Sequence, residues 1–321
     1  ITTSFDGAIN QLDKDLERHI KEYLSIRCGM QEIFSYPWME ESYVNAILQS
    51  TDGILALSTP PSPSERFIRS SLLPNLCKAV AKNERYYGDF AIFETAQVFH
   101  DTDYTTPYDP REKLPSQRKN VAGAFVSAGK DVAALFRKAK GVVEMMPRYT
   151  HMERYDFRQV EKPVWADEVV WLNIYLGEER IGDLALLSKR VSMACGIKNV
   201  NVMLFQLDQD ALVPLRSRTN TFTHLAEYPM TDYDISLLLD GEVKWADVAE
   251  TIEGVKNPLL HGASFVDEYR GKQVPAGKKS LTARLTIGST EKTLTSAEIE
   301  EVANSVLKKL SKRFGAELRS R

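Results

Sequence analysis

From residue 234 onward the apolar residues switch between the two-residue period of a strand and the 3.6-residue period of a helix in one definite order. Residues 234–240 alternate as a strand, and residues 245–253 carry a helical stripe. Residues 259–270 and 279–288 are two long strand patterns. Residues 296–314 form a second helical stripe, opened by Thr295 as N-cap with Glu298 three positions on, a capping box. Residues 316–319 are apolar enough for a short last strand. Few chain paths satisfy this order with short, uncrossed connections.

The order βαββαβ predicts a ferredoxin-like split βαβ unit, which fits a span of about 95 residues. The fold by itself names no function. The preceding part is different in character. Residues 8–28 place Ile9, Leu12, Leu16, Ile20 and Leu24 on one helical face, with Gly29 as a stop signal. Residues 31–38 read as a strand, 67–83 as a helix, and 89–99 as a buried strand. Residues 101–119 are polar with three prolines and predict an exposed loop. A strand at 121–128, a helix at 130–144 and strands at 169–176, 179–186 and 200–207 follow. Many strands with few regular βα repeats imply an α+β class with a mixed or antiparallel sheet. The polar stretch 216–223 separates the parts, giving expected domains of 1–222 and 223–321.

With 321 residues and a hydrophobic fraction of 43%, the chain can bury two cores. No apolar run approaches the roughly 18–20 residues that span a bilayer. The chain starts Ile1-Thr2-Thr3-Ser4 rather than with Met and carries no signal-peptide pattern there, so it is expected to be an excised fragment. Cys28, Cys77 and Cys195 lie far apart, with no CxxC pair and no Cys/His cluster. That excludes a zinc-ligand pattern and predicts reduced thiols in a cytoplasm, serving as small buried apolar groups.

The net charge of −3 does not by itself point to a nucleic-acid partner. From Phe265 to the end, however, Lys and Arg exceed Asp and Glu by about five. Part of that excess, Lys308, Lys309, Lys312 and Arg313, sits at helical spacing and also reads as a solvated helix face. The rest accompanies an aromatic ring, hydroxyls and glycine turns: Asp267-Glu268-Tyr269-Arg270-Gly271, then Val274 through Leu281. Unpaired RNA bases are held by such sets, stacked on a ring and read at their edges. On spacing alone Tyr269 reads equally well as a half-buried strand aromatic.

These segments form a specific series. Pro229 precedes Asp234-Ile235-Ser236; Val266-Asp267-Glu268-Tyr269 ends a strand; Gly271 to Leu281 contains the Pro275, Gly277-Lys278-Lys279-Ser280-Leu281 turn. Thr293-Leu294-Thr295 opens the helix, and Gly315 to Arg319 closes the chain. Upstream stand Gly29-Met30-Gln31-Glu32-Ile33, the run Ile68 to Leu76, and Asn83 with Ile92 to Phe99. Ile181-Gly182 and Phe205 to Asp208 follow. Over nearly its whole length the chain resembles the bacterial-type phenylalanyl-tRNA synthetase β-subunit family. It departs from that family's pattern at Tyr233, where Arg is usual, at Val266 for Phe and at Ala96 for Gly.

The resemblance implies a class II synthetase-like core followed by a ferredoxin-fold anticodon-binding domain. It implies an α-subunit partner in an α2β2 assembly, tRNA(Phe) as the RNA, and ATP and Mg²⁺ used through the α subunit, with no cofactor bound by this chain. Arginine forks suit phosphate clamping in such enzymes. Here His100 follows the Val98-Phe99 strand end, and residues 201–212 lack a Gly-rich, Arg-bearing pattern, so no catalytic residue is expected in this chain. P-loop, G-x-S-x-G, HExxH and GxGxxG patterns are absent. By resemblance, Tyr269 stacks on an anticodon base, Asp267 and Ser280 read base edges, and Ser236 lines the same surface. Arg319 stacks or pairs with a phosphate, and Lys278 and Lys279 face phosphates. The helices at 8–28 and 67–83 are expected to pack on the α subunit.

The remaining candidates have plainer readings. His19, His151, His224 and His261 lack partners at ligand or triad spacing and read as structural or surface groups. Arg69 reads as an ion-pair or interface residue. Tyr86 and Tyr87 beside Arg85 read as an interface or loop rather than an RNA contact. The rival to the subunit reading is a synthetase-like paralogue that binds RNA or protein without aminoacylation.

Overall fold

The computed structural model describes residues 11–102, 114–215, 227–271 and 273–319. The chain divides into two compact units, Ile1–Asn220 and Thr221–Arg321.

The first unit opens with α1 (Leu12–Glu22), which continues into a π-helical turn at Tyr23–Arg27 and stops at Gly29, a left-handed residue with φ +67°. Residues 8–10 of the expected helix lie outside the described residues. Short strands β1 (Gln31–Glu32) and β2 (Trp38–Met39) come next, where one strand at 31–38 was expected. The break has a polar cause. The buried Glu94 carboxylate accepts hydrogen bonds from the Ser35 backbone N–H at 2.9 Å and from its hydroxyl, which turns the chain out of the ladder. Then come α2 (Glu41–Ile47), β3 (Phe67–Ile68) and α3 (Leu73–Asn83). The expected helix at 67–83 is therefore shorter. Phe67 and Ile68 pair with β2, and Pro74 fixes the helix start in its first turn, where a missing N–H costs nothing.

The long hairpin β4 (Asp89–His100) and β5 (Ser116–Ser127) pairs in register from Asp89 opposite Ser127 to His100 opposite Ser116. Residues 116–119 of the expected loop are thus strand, and residues 103–113 lie outside the described residues. The α4 helix (Val132–Thr150) starts at an Asp131 cap and runs six residues beyond expectation, through Pro147 to a left-handed His151. The sheet is completed by β6 (Asp156–Arg158), β7 (Ala166–Leu176), β8 (Glu179–Leu187) and, after α5 (Lys189–Ala194), β9 (Asn201–Asp208). After β9 come α6 (Gln209–Leu212) and a 3-10 turn at Val213–Leu215. Strand order is β1-β4-β5-β9-β8-β7-β6, antiparallel except for the β1–β4 pair.

Both faces of this sheet carry apolar cores. On one, Leu16 and Ile20 of α1, Leu24 of the π-helical turn, and Val143 and Met146 of α4 meet Phe93, Phe125 and Phe205. On the other, Leu73, Leu76, Cys77 and Val80 of α3 meet Val98, Ala122, Ala124 and Leu204. The apolar stripes of α1 and α3 are therefore spent on the unit's own core. The expected packing of the 8–28 and 67–83 segments on a partner then falls to their other faces; Leu12 and Ile26 of the first segment are exposed.

The second unit consists of β10 (Thr231–Asp240), α7 (Trp245–Glu253), β11 (Leu260–Tyr269), β12 (Lys278–Ile287), α8 (Ser296–Phe314) and β13 (Glu317–Leu318). Its antiparallel sheet has the order β11-β12-β10-β13, which is the ferredoxin-like arrangement. Alternation does the sorting. Ile235, Leu237 and Leu239 and their neighbours Leu281, Ala283, Leu285 and Ile287 point toward Val248, Ile252, Val302, Val306 and Leu310 of the two helices. The intervening residues point to the other face, away from both helices of this unit. Tyr233 has the core parity and packs on that core, so its departure from the family pattern falls on the helix side of the sheet.

Candidate nucleic-acid interface

The open face of the second unit is built row by row from strand register. Tyr269 lies opposite Ser280, and Asp267 opposite Thr282, which in turn faces Ser236 across β10. A register shift between Phe265 and Asp267 re-aims the end of β11. The Ser236 and Thr282 hydroxyls are 3.0 Å apart. In the next row Arg284 grips Asp234 with two parallel hydrogen bonds of 2.7 and 2.9 Å, and Asp232 accepts from Thr286 beyond it. The Arg284 fork holds the Asp234 carboxyl below its usual range.

The chain terminus closes the platform. Gly315, at φ +62°, ends α8 and turns the chain back along β10, where the Arg319 N–H donates to the Ser236 carbonyl at 2.9 Å. From there the Arg319 guanidinium reaches the Tyr269 ring, 5.5 Å from its centroid, and donates to Gln273 at 3.0 Å. Tyr269, 40% exposed, is thus neither a core aromatic nor a free one; it carries a cation over its ring.

Of the residues singled out in the sequence, Ser236, Asp267, Tyr269 and Arg319 come together on this face. Lys278 is half-buried on the same strand parity, opposite Asp240. Lys279 does not join them. It has the core parity, is buried, and its ammonium is 2.8 Å from Glu268, so the expectation that it faces phosphate is corrected. Burial alone would raise the Glu268 carboxyl; hydrogen bonds from Lys279 and Arg270 outweigh it and hold the group below its ordinary value. Ser280 has the open-face parity but is buried, so it does not present its hydroxyl for direct edge reading in this conformation. Thr282 and the Asp234–Arg284 pair were missed by the sequence reading. Their signal was available, since Thr282 stands two residues from Ser280 and Asp234 two from Ser236 on strands of period two.

Chemically, this face offers a ring, hydroxyls, carboxylates and two guanidinium forks. With Asp232, Asp234 and Asp267 beside Arg284 and Arg319, it is suited to base edges and rings more than to a run of phosphates.

The remaining candidates resolve into structure. Arg69 pairs with Glu94 at 3.1 Å and donates to the Gln97 and Ser35 carbonyls. Asn75 donates to the Tyr36 carbonyl at 2.9 Å, tying the same segment down. His19 lies against His151 with ring centroids 6.0 Å apart, and His261 contacts the Gly288 carbonyl. Burial, with Arg118 nearby, lowers the affinity of His100 for a proton. His224 lies outside the described residues. Cys77 and Cys195 are buried and Cys28 is half-buried. Arg85 stacks on Tyr86, and Tyr86 and Tyr87 are exposed. A surface pocket of about 300 Å³ is lined by Phe34, Tyr36, Trp38, Lys78, Lys82 and Asn83, among others, with Tyr36 and Trp38 stacked at 4.5 Å. Among the described residues no group of three His, Cys, Asp or Glu side chains could hold a metal ion, and no helix is long and apolar enough to cross a membrane.

Comparison with known proteins agrees with this architecture unit by unit. Residues 3–209 match the family model of the phenylalanyl tRNA synthetase beta chain CLM domain, and residues 226–319 that of the ferredoxin-fold anticodon binding domain. The phenylalanine–tRNA ligase beta subunit of Carboxydothermus hydrogenoformans is 29% identical over 99% of the chain, and that of Oceanobacillus iheyensis 27% identical over 95%. The chain spans 40% and 38% of the length of these two relatives. Among solved structures, two of a pyrrolysyl-tRNA synthetase from Desulfitobacterium hafniense share the fold. Their TM-scores are 0.50 and 0.51 at 12% identity, covering 63% and 64% of this chain and 68% and 69% of theirs. With its larger part matched by the CLM-domain model and its remainder by the anticodon-binding model, the chain belongs to the phenylalanyl-tRNA synthetase β-chain family.

Proposed function

We propose that this chain is the scaffold and anticodon-binding portion of a phenylalanine–tRNA ligase β subunit, acting in the cytoplasm. It supports ATP-dependent attachment of phenylalanine to tRNA(Phe) by packing on a catalytic α subunit in an α2β2 assembly and by holding the anticodon. The observation that carries this reading is the open face of the second unit, where Tyr269 and Asp267 of β11, Ser236 of β10 and Arg319 from the chain terminus meet. Unpaired bases bind by stacking and by edge hydrogen bonds on such a platform. Lys278 adds a salt-dependent phosphate contact.

The described residues of the first unit do not fit a nucleotide. Both faces of its sheet are filled by apolar side chains, and Arg69 is committed to Glu94. ATP and Mg²⁺ are therefore assigned to the α subunit, where they supply the adenylation chemistry. The α subunit is assigned to the surface around Ile26, Phe34 and Tyr36, which are 75%, 81% and 70% exposed at the β1 edge of the sheet. Large apolar side chains gathered at an open strand edge suit burial against a protein partner.

The test is co-purification of this chain with a phenylalanyl-tRNA synthetase α subunit from the same source, followed by binding of a tRNA(Phe) transcript. A stable complex that binds the transcript is expected. A folded chain that forms no complex and binds no tRNA would overturn the assignment in favour of a paralogue without aminoacylation.

A further inference from the structure

Tyr269 is held in place by more than its own strand. A methyl group on Gly271 would stand 2.3 Å from the Tyr269 hydroxyl oxygen and 2.5 Å from the ring carbon that bears it. The ring edge therefore lies directly against the Gly271 backbone, at a distance that only a residue without Cβ allows. The Arg319 guanidinium is also near this ring, and it is itself gripped by Gln273 at 3.0 Å. Both contacts come from one turn, between β11 and β12.

That turn is anchored independently of the ring. Arg270 donates to Glu268 at 2.7 Å and to the Gly241 carbonyl at 2.8 Å. The Gly241 N–H in turn donates to the Gly277 carbonyl at 2.8 Å, joining the turn to the end of β10. Gly277 has φ +81°, the left-handed conformation that lets the chain re-enter β12. A fixed turn can act as a seat for mobile side chains, whereas a loose one cannot.

We propose that Gly271 and Gln273, between β11 and β12, are the positioning residues of the RNA-binding face, with Gly271 setting the place of the Tyr269 ring and Gln273 that of the Arg319 guanidinium. The proposal rests on the reading of that face as the anticodon platform. Neither Gly271 nor Gln273 is assigned a contact with RNA. Each acts through the side chain it seats. The consequence is separable from stability, because the atoms a Gly271 methyl would strike belong to the outer end of a tyrosine side chain, which can swing aside without disturbing the sheet.

The experiment measures binding of a tRNA(Phe) transcript to this chain in complex with its α subunit, across a salt series, for Gly271→Ala, Gln273→Ala, Gln273→Glu and Tyr269→Ala, alongside thermal unfolding. Gly271→Ala is expected to weaken binding about as much as Tyr269→Ala, with an unchanged unfolding midpoint. Gln273→Ala is expected to weaken it less. Gln273→Glu keeps an acceptor for Arg319 and is expected to restore most of the loss at high salt, where the added charge is screened. A loss for Tyr269→Ala with none for Gly271→Ala or Gln273→Ala would overturn the positioning role and leave the platform standing. No loss for Tyr269→Ala would overturn the platform itself, and the positioning role with it.

Discussion

Glu94 and Arg69 decide how the chain leaves the sheet of the first unit. The carboxylate is 2% exposed and its guanidinium partner 10%. Burial works against the charge on Arg69, and the Glu94 carboxylate works for it. Removing one member of a buried pair leaves the other charge without compensation, so Arg69→Ala is expected to cost about 3–5 kcal/mol. Chemical denaturation reads this directly, and a midpoint equal to that of the unmodified chain would contradict the account. Tyr269 belongs to the other class of residue, one whose loss is felt in binding. Tyr269→Ala is expected to weaken tRNA affinity by about 1–3 kcal/mol, the range for loss of a base-stacking ring, with little change in stability. Tyr269→Phe, which retains the ring, is expected to bind nearly as well in the same titration.

Helix α8 shows what a cap contributes to an element. The Thr295 N–H and hydroxyl donate to the Glu298 carboxylate at 2.8 and 2.9 Å, the Glu298 N–H reaches back to the same hydroxyl oxygen, and Lys292 adds a further hydrogen bond to the carboxylate. Together, Lys292 first and the two Thr295 donors after it, these lower the Glu298 carboxyl from 4.5 to about 2. A depressed carboxyl pKa stabilises the fold fully above the unfolded value and loses that contribution as pH falls through the folded one. The unmodified chain is therefore expected to be more stable than Glu298→Gln at pH 6, with the difference shrinking between pH 4.5 and 2. A difference that stays constant across that window would exclude the linkage. Thr295→Ala removes the N-cap oxygen and is expected to cost about 1 kcal/mol in thermal unfolding.

At the scale of the whole molecule, each unit has its own core, and residues 223–321 are expected to unfold cooperatively when expressed alone, a single transition in circular dichroism being the readout. Substituting Phe34 and Tyr36 together by Ser is expected to weaken association with the α subunit while leaving tRNA-platform residues untouched; pull-down with the α subunit checks it. The second unit was legible nearly to the residue: Trp245–Glu253 and Ser296–Phe314 are helices at the predicted positions, because a stripe of apolar residues and a capping box are local signals that act within a few positions. The long strands β4, β7, β8 and β9 of the first unit were legible for the same reason. Its segment at 67–83 was not, since Phe67 and Ile68 pair with Trp38 and Met39 nearly thirty positions away, and no local pattern reports that. The candidate site divides in the same way. The residue types of the platform, their spacing and the family they belong to were present in the linear chain. Which face each one occupies was decided by register, which put Lys279 under the sheet against Glu268 and Ser280 out of solvent's reach while bringing Arg319 from the far end of the chain to the Tyr269 ring. Period and capping are written in neighbouring residues; pairing, burial and the use of a charge depend on what the folded chain brings alongside, and those only the tertiary structure decided.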